Sequence, residues 1–466
     1  MTKKSRPWIL LAWTLLAIQG YFFHETWRDE AQAWLVAKSS STIYELLLRS
    51  SMEATGPLYY LGLWPITQFF PQSFPHSLWI YSSAGSFLAV WRILQVFRNQ
   101  LFVGTLLVFG FFVGFELGAI SRLYGWGVFF LFSGILSFER KRLGHAFFYF
   151  SLCPLLQLSL VFACFPIIAA ETWENRKRLK PYLIGASIFV ASLLIAYFHQ
   201  SLSANTKEWT LWALPQKLSL VGSSLAMPFL NSSYQVGIGG LALLLFGLLC
   251  LPLRKSLLFC TGLFPFFLIF LCHYSHYAGP AQARHAGALH LVWVFFVATE
   301  LQLGRLSRKK SFFFFALLAA SVVSSLHIRY RDAILSYSDQ LPIARKIEEL
   351  QIEEPELIPW IYINDEIYGS VIASTLGEPL YSGIQYRPYF YPQFTKENLQ
   401  YRMQNWSRVP WSDIALKCRE MRQRLCLVVT RKNILPPPER LGFEHIYHAT
   451  ETISDESLHL YVSDTR

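Results

Sequence analysis

The chain has 466 residues, of which 53% are hydrophobic, 17% are aromatic and 15% are charged. Soluble globular proteins contain about 25% charged residues. The low charge, together with apolar runs of near-spanning length along most of the chain, excludes a wholly soluble protein and predicts that the bilayer is the solvent for most of it.

Charge is distributed unevenly along the chain. Residues 1–330 contain 26 Lys and Arg and 11 Asp and Glu, whereas residues 331–466 contain 15 and 19. The basic excess lies in short loops between apolar runs, which is typical of cytoplasmic loops and favours anionic membrane lipids as partners. Nucleic-acid binding needs a basic face on a soluble domain, and the polar part of this chain is acidic, so that class is excluded.

The first predicted element is a membrane helix at 8–23. A basic stretch at 3–6 precedes it and no small-residue cleavage site follows, so we interpret it as a retained helix that begins in the cytoplasm. The run at 145–172 contains two prolines and has basic clusters at both ends, so we expect a hairpin there. The other apolar runs lie at 57–70, 76–96, 100–118, 124–138, 181–198, 216–230, 236–252, 256–272, 286–303 and 311–328.

The loop charges require that one early run does not cross the bilayer, and the short run 57–70, interrupted by Pro65, is the candidate. We predict an all-α polytopic membrane bundle with about 11–13 crossings. The protein would be a multi-pass integral protein of the inner or plasma membrane, with a cytoplasmic N-terminus and an extracytoplasmic C-terminus.

Residues 336–466 change character and predict a separate domain. Extended apolar patterns at 360–363, 425–429 and 458–462 alternate with helical patterns, which favours a small extracytoplasmic α/β domain after a membrane domain at 1–335. Cys418 and Cys426 lie in this domain and would be able to pair there, but their spacing alone does not establish a disulfide.

The segment after the first helix concentrates ionisable residues, from His24 through Arg28, Asp29 and Glu30. Adjacent carboxylates cannot share one helix face, so one of Asp29 and Glu30 can face a cavity while the other accepts a hydrogen bond or binds a metal. The alternative is a solvated interfacial loop in which these two acids start the next helix.

Three further charged positions are candidates for function. Glu53 precedes the proline that opens the second apolar run, and the alternative is a surface Glu before a helix start. Glu116 interrupts an apolar run that ends at Arg122. An acid inside a membrane helix is costly unless it is paired or faces water, which makes Glu116 a functional candidate. A structural contact between Glu116 and Arg122 is the competing interpretation.

An Asp-Glu pair just after the first membrane helix, followed by an acidic residue before Pro57-Leu58-Tyr59-Tyr60, resembles the GT-C glycosyltransferases. More narrowly, the chain is similar to the protein O-mannosyltransferase and lipid A aminoarabinose transferase families. The large first outer loop at 24–56, the many helices and the outer C-terminal domain extend this resemblance to the whole architecture.

The resemblance implies an inverting glycosyltransferase at the outer face of the membrane. A polyprenyl-phosphate sugar would be the donor, and a hydroxyl of a lipid, glycan or protein would be the acceptor. A general base must take the hydroxyl proton, and cationic groups must stabilise the departing lipid phosphate.

Position by position, the resemblance implies that Asp29 is the general base and that Glu30 orients it or helps to bind. Glu53 matches an acidic residue that helps to hold a divalent metal in some relatives, and metal dependence varies across the superfamily. Several relatives have a phosphate-binding Lys just after this position. Here the stretch reads Ala54-Thr55-Gly56, so that contact must come from elsewhere.

A substitute lies at 273–290, where four His and one Arg stand in a predicted outer loop. Arg284 matches an Arg that often opens a late helix in the family and is the candidate for the donor phosphate. His285 would assist it or join Glu53 as a metal ligand. The alternative is an interfacial belt of Tyr and His. The predicted substrate contacts are Arg284, His285, Arg28, Glu116, Arg122 and Tyr277, although Arg28 is equally suited to the headgroup level.

A transporter or flippase of a lipid-linked anion is the alternative from another class, with Arg284 and Arg122 as phosphate contacts. Such proteins contain repeated halves and helices broken near the midplane. The sequence contains no duplication, and its acidic candidates cluster at one membrane face. A non-catalytic family member in envelope glycan assembly is the third possibility.

Overall fold

The computed structural model describes residues 3–53, 55–200, 248, 251–273, 283–382, 387–389, 409–421, 424–452 and 456–463. Helices predominate in these residues, with a small sheet near the C-terminus. In chain order the helices are α1 (Arg6–Phe23), α2 (Arg28–Lys38), α3 (Ile43–Ser50), α4 (Pro57–Phe69), α5 (His76–Val96), α6 (Leu101–Phe109), α7 (Tyr124–Glu139), α8 (Leu143–Leu156), α9 (Val161–Glu174), α10 (Leu179–Gln200), α11 (Leu253–His273), α12 (Ala283–Gln302), α13 (Arg308–Ile334), α14 (Gln340–Glu353), α15 (Ser370–Leu376) and α16 (Trp411–Glu420).

The chain divides into two compact units. The first contains residues 1–22, 53–62 and 79–330, and the second contains residues 23–52, 63–78 and 331–466. The segment that follows the first helix, with α2 and α3, therefore belongs to the same unit as the C-terminal residues.

The apolar runs of the sequence are mostly helical where the structure describes them. Two helices among the described residues are long and apolar enough to cross a bilayer, at Lys180–His199 and Arg308–Ile334. The segments Leu143–Leu156 and Ala286–Gln302 are shorter apolar helices. The run at 216–230 and most of 236–252 lie outside the described residues, so the number of crossings stays a prediction.

The apolar run at 100–118 is broken at Gly110. A π-helical turn, Phe111–Glu116, follows α6, and wide turns of this kind leave backbone groups that need other partners. Buried Arg329 of α13 donates from Nε to the Gly114 carbonyl at 3.0 Å and from Nη1 to the Leu16 carbonyl at 2.7 Å. This one guanidinium thereby joins α1, the π-helical turn and α13.

The run 145–172, for which the sequence predicts a hairpin, forms two helices, α8 and α9, separated at Gln157. The hairpin itself stays a prediction. The Gly56 N–H donates to the free carbonyl of Leu156 at 2.7 Å. A Cβ at position 56 would lie 2.2 Å from the Leu155 carbonyl oxygen. The close approach of two backbones therefore explains the glycine at this position.

The second unit contains a six-stranded mixed sheet in the order β3-β2-β1-β4-β6-β5. Central strand β1 runs parallel to β2 and β4, and the outer pairs β2–β3, β4–β6 and β6–β5 are antiparallel. This confirms the predicted small C-terminal α/β arrangement. The strands are β1 (Ile358–Ile363), β2 (Leu380–Ser382), β3 (Arg387–Tyr389), β4 (Arg424–Arg431), β5 (Phe443–Tyr447) and β6 (Leu458–Ser463).

One face of this sheet packs against α16. Trp360, Val428 and Tyr461 of the sheet are buried against Ile414 and its neighbours on that helix. A disulfide joins Cys418 of α16 to Cys426 of β4, with a Cα–Cα separation of 5.7 Å. The pairing that the sequence left open is therefore present and ties the helix to the centre of the sheet.

Candidate active site

The predicted catalytic pair lies in the first turn of α2. The Glu30 carboxylate accepts a hydrogen bond from the Trp27 N–H at 3.0 Å, which closes the start of the helix. Every residue from Glu30 to Ala37 is buried, and α2 packs against α15 within the second unit. The two acids thus start a helix, as one interpretation proposed, but that helix is part of a folded interior and not a solvated interfacial loop.

Glu30 belongs to a buried chain of three charged groups. His24 Nε2 lies 3.2 Å from the Glu30 carboxylate, and His24 Nδ1 lies 3.1 Å from the Asp332 carboxylate. The three side chains are 1% to 4% exposed. Both ring nitrogens of a charged imidazolium are donors, so His24 can bond to both carboxylates at once.

The environment of His24 keeps it charged. Burial by itself lowers the pKa of the imidazole, but Asp332 and Glu30 outweigh burial and raise the pKa to about 10. His24 is therefore a cation between two carboxylates at neutral pH. Because both carboxylates are engaged by this cation, Glu30 is a structural anchor for the first turn of α2.

Asp29 differs from its neighbour in exposure. Its side chain is 29% exposed, and its Oδ1 atom lies 3.6 Å from Arg28 Nε. The same Arg28 nitrogen lies 3.5 Å from the buried Glu456 carboxylate, and the guanidinium lies over the Tyr368 ring at 5.1 Å. Of the adjacent pair, Asp29 is the carboxylate that an external hydroxyl can reach.

Glu25 ties the same loop to the C-terminal residues of its unit. Its carboxylate accepts hydrogen bonds from the N–H groups of Tyr337, at 3.0 Å, and Ser338, at 3.4 Å. Burial raises the pKa of Glu25, and the two backbone donors oppose that rise. The segment around Asp29 is thus held by Glu25, His24 and Arg28, each through a different C-terminal partner.

Other predicted site residues lie in the first unit. Glu53 is buried, and both Glu53 and Arg122 interact electrostatically with Tyr60, whose hydroxyl is hydrogen-bonded to Thr55. The structure therefore brings Glu53 and Arg122 to the same phenol. Glu116 ends the π-helical turn and is half-buried, and its contact with Arg122 stays a prediction.

The predicted phosphate-binding segment is described only in part. Arg284 and His285 lie in the first turn of α12, and their side chains are outside the described residues, as is the whole of Tyr277. His273 ends α11 and His290 lies inside α12, where it is buried. Three of the four His predicted to lie in a loop, His273, His285 and His290, are therefore in helices, and His276 is outside the described residues.

Three residues of the charged network carried no role in the sequence interpretation: His24, Asp332 and Glu456. His24 stood in the segment that drew attention, and Asp332 is the next aspartate after Asp29 in the chain. An acid at the end of the last apolar run was the available signal for Asp332. Nothing in the local sequence distinguishes Glu456 from the other acids of the C-terminal domain.

The fold is similar to that of ArnT, a protein of known structure. The crystal structure of ArnT from Cupriavidus metallidurans bound to undecaprenyl phosphate matches with a TM-score of 0.51 and 10% identity over 99% of this chain and 98% of that one. The apo-state structure of the same protein matches with a TM-score of 0.51 and 11% identity over 99% of each chain.

ArnT is a lipid A aminoarabinose transferase of the GT-C superfamily, so the predicted GT-C-like fold is confirmed, and the match of residues 24–60 to the motifs of that family stays a prediction. No protein-family model matches the sequence, and no curated protein matches it. At 10% to 11% identity the likeness establishes the architecture, and the chemistry has to be argued from the residues of this chain.

Proposed function

We propose that the protein is an inverting glycosyltransferase that moves a sugar from a polyprenyl-phosphate donor to a hydroxyl of a lipid, glycan or protein acceptor. The observation that carries the proposal is the contrast between the two adjacent acids. Glu30 is buried and held by His24, whereas the neighbouring Asp29 side chain is 29% exposed. The whole-chain likeness to a structure bound to undecaprenyl phosphate supports the choice of donor.

Asp29 is the proposed general base. The acceptor oxygen attacks the anomeric carbon of the sugar, its proton passes to the Asp29 carboxylate, and the bond from that carbon to the lipid phosphate oxygen breaks. Attack from the face opposite to the leaving phosphate inverts the anomeric centre. A base in this role typically contributes about 10²- to 10⁴-fold to the rate.

Arg28 and Glu30 are proposed positioning residues for that base. Arg28 lies between the carboxylates of Asp29 and Glu456, so much of its charge is already compensated and it is poorly suited to bind the donor phosphate. Its position instead restricts the Asp29 side chain. The phosphate contact is left to Arg284 and Arg122, with His285, Glu116 and Tyr277 as further expected substrate contacts.

A divalent metal at Glu53 and His285 stays an expectation. Glu53 supplies one buried carboxylate, and it is not part of any group of three or more potential ligands among the described residues. One carboxylate does not make a metal site.

The proposed location is the inner or plasma membrane, with the C-terminal domain on the extracytoplasmic side. The Cys418–Cys426 disulfide supports this orientation, because disulfides persist in oxidising compartments and are rare in the cytosol. Lipid-linked donors with a polyprenyl tail present their sugar at the membrane surface, where an outer domain can contact an acceptor.

The test is lipid and glycan mass spectrometry of cell envelopes from a deletion strain rescued with wild type, Asp29→Asn or Asp413→Asn. Asp413 is an exposed acid of α16 and gives a matched control for loss of a carboxylate charge. We expect the deletion to accumulate a polyprenyl-phosphate sugar and to lack one residue of a glycan. Wild type and Asp413→Asn should restore the glycan, and Asp29→Asn should not.

Membrane levels of each variant must be equal for this comparison. Full rescue by Asp29→Asn at an equal membrane level would show that Asp29 is not the base and would favour a non-catalytic role in glycan assembly. A deletion that changes the distribution of a lipid-linked anion across the membrane, with every glycan intact, would favour the flippase alternative.

A further inference from the structure

Three histidines meet at the edge of the C-terminal sheet, and the proposed transfer reaction does not use them. His445 lies on β5, His448 just after that strand, and His459 on β6. The ring centroids of His445 lie 3.8 Å from His448 and 4.8 Å from His459. One ligand nitrogen from each of the three lies within 4.8 Å of the others.

The strand register explains why the rings converge. His445 is opposite Tyr461 in the antiparallel β5–β6 pair, so His459, two residues before Tyr461, projects from the same face. The pairing is irregular between His445 and Tyr447, and irregularities of this kind redirect the following side chains. The ring of His448 consequently turns back over that of His445.

The rings of His445 and His459 are in direct contact. The Ala449 N–H donates to His459 Nδ1 at 3.1 Å, which makes that nitrogen an acceptor. His445 Nε2 lies 3.0 Å from the same nitrogen, and a bound ion would replace this contact.

We propose that His445, His448 and His459 bind a divalent transition-metal ion of the zinc class, with the fourth position open to water. Neutral imidazole is a preferred ligand of Zn²⁺, and Zn–N bonds of about 2.0–2.1 Å in a tetrahedral site place the nitrogens about 3.4 Å apart. The ligand nitrogens here lie within 4.8 Å of one another, so the widest pair would have to close by at most about 1.4 Å to meet that geometry. This site is independent of the proposed transferase function and shares no residue with it.

The bound ion would stabilise the hairpin formed by β5, β6 and the segment between them. The buried Asp339 carboxylate holds the same hairpin from inside, accepting bonds from the Tyr447 hydroxyl at 3.0 Å, the Thr450 N–H at 3.0 Å and the Leu458 N–H at 2.9 Å. Glu456 of this hairpin contacts Arg28. Metal binding at the outer edge would therefore stabilise the segment that carries Glu456.

The experiment uses full-length protein in detergent with a tag that contains no histidine, after treatment with a chelator. Zn²⁺ is titrated in competition with a chromophoric chelator, and Co²⁺ is added separately to record its visible spectrum. The expected result for wild type is one ion per chain, with the intense visible absorption of tetrahedral Co²⁺ and a rise in melting temperature.

His448→Ala and His459→Gln should lower the affinity by at least about 100-fold, since loss of a ligand exceeds the effect of losing an outer partner. His327→Gln, which removes an exposed histidine of α13, is the matched control and should bind as wild type does. X-ray absorption of the wild-type Co²⁺ complex should give about three imidazole ligands. This measurement needs no variant, so it tests the ligand set even if the variants do not fold.

Wild-type protein that binds no stoichiometric ion would overturn the proposal. So would variants that bind as tightly as wild type, because the ion would then lie elsewhere. Transfer activity is not a readout here, so failure of the metal site and failure of the proposed enzyme function give different results.

Discussion

His24 and Asp332 lie 308 positions apart in the sequence, and His24 Nδ1 is 3.1 Å from a carboxylate oxygen of Asp332. This contact joins the loop after the first helix to the segment that begins the C-terminal part of the chain. On its other side, His24 contacts Glu30, the neighbour of the proposed base. The buried ion pair therefore connects the C-terminal residues to the turn that carries Asp29.

Asp332→Asn should destabilise the protein by about 3 kcal/mol, since removal of one partner leaves a buried charge incompletely compensated. The measurement is thermal or denaturant unfolding in detergent, with the exposed Asp413→Asn as the control for an equal change of charge. A destabilisation equal to that of the control would show that the His24–Asp332 contact contributes nothing to the fold.

The His24 ion pair also predicts how stability depends on pH. The pKa of His24 rises from 6.5 to about 10 on folding, so the folded state holds a proton that the unfolded state releases. The contribution is complete below pH 6.5, declines as pH rises above that value, and is lost once pH has passed about 10.

The melting temperature of wild type should therefore fall more steeply between these pH values than that of His24→Gln, which lacks the titrating group. The difference between the two proteins is the relevant quantity, because other groups titrate in the same range. If the melting temperatures of the two proteins changed equally with pH across this range, the raised pKa of His24 would be contradicted.

Substitutions of Asp29 and of Glu30 should have different effects when transfer activity and stability are both measured. Asp29→Asn should reduce glycan transfer by about 10²-fold or more and change the melting temperature little, because the side chain is partly exposed and Arg28 keeps its contact with Glu456. Glu30→Gln should lower the melting temperature, because it removes one of the two carboxylates that hold His24. If Glu30→Gln abolished transfer with no loss of stability, the roles of the two acids would be reversed.

The sequence predicted the parts of the structure that depend on local pattern. Among the described residues most of the apolar runs are helices and the extended apolar patterns are strands. The pair Asp29–Glu30 drew attention because ionisable residues are concentrated after the first helix. The sequence could not predict the partners, because Asp332 and Glu456 reach His24 and Arg28 only after the chain returns to the same unit. The histidine cluster was missed for the same reason, since strand register brings His459 to His445.

Gly56→Ala should destabilise the first unit. The added methyl group would lie 2.2 Å from the Leu155 carbonyl oxygen, and both backbones would have to move apart. Such overpacking costs about 1–3 kcal/mol. Gly144→Ala is the matched control, because nothing lies within 4 Å of a Cβ at that helical position.

Since Ala is favoured over Gly in a helix by about 1 kcal/mol, Gly144→Ala should leave stability unchanged or raise it slightly. The melting temperature of Gly56→Ala should thus be clearly lower than that of Gly144→Ala. Equal melting temperatures would mean that the segment before α4 does not approach α8 closely in the folded protein.

The Cys418–Cys426 disulfide predicts a specific pattern of thiol labelling. In protein that is denatured without reductant, an alkylating reagent should label Cys260, which is a free cysteine, and should leave Cys418 and Cys426 unmodified. After reduction all three should react, which peptide mass spectrometry can count. The double variant Cys418→Ser with Cys426→Ser should lose about 2–3 kcal/mol, since a short closed loop restricts the unfolded chain less than a long one. Labelling of Cys418 and Cys426 without reductant would show that the bond is absent and would remove the support it gives to an extracytoplasmic C-terminal domain.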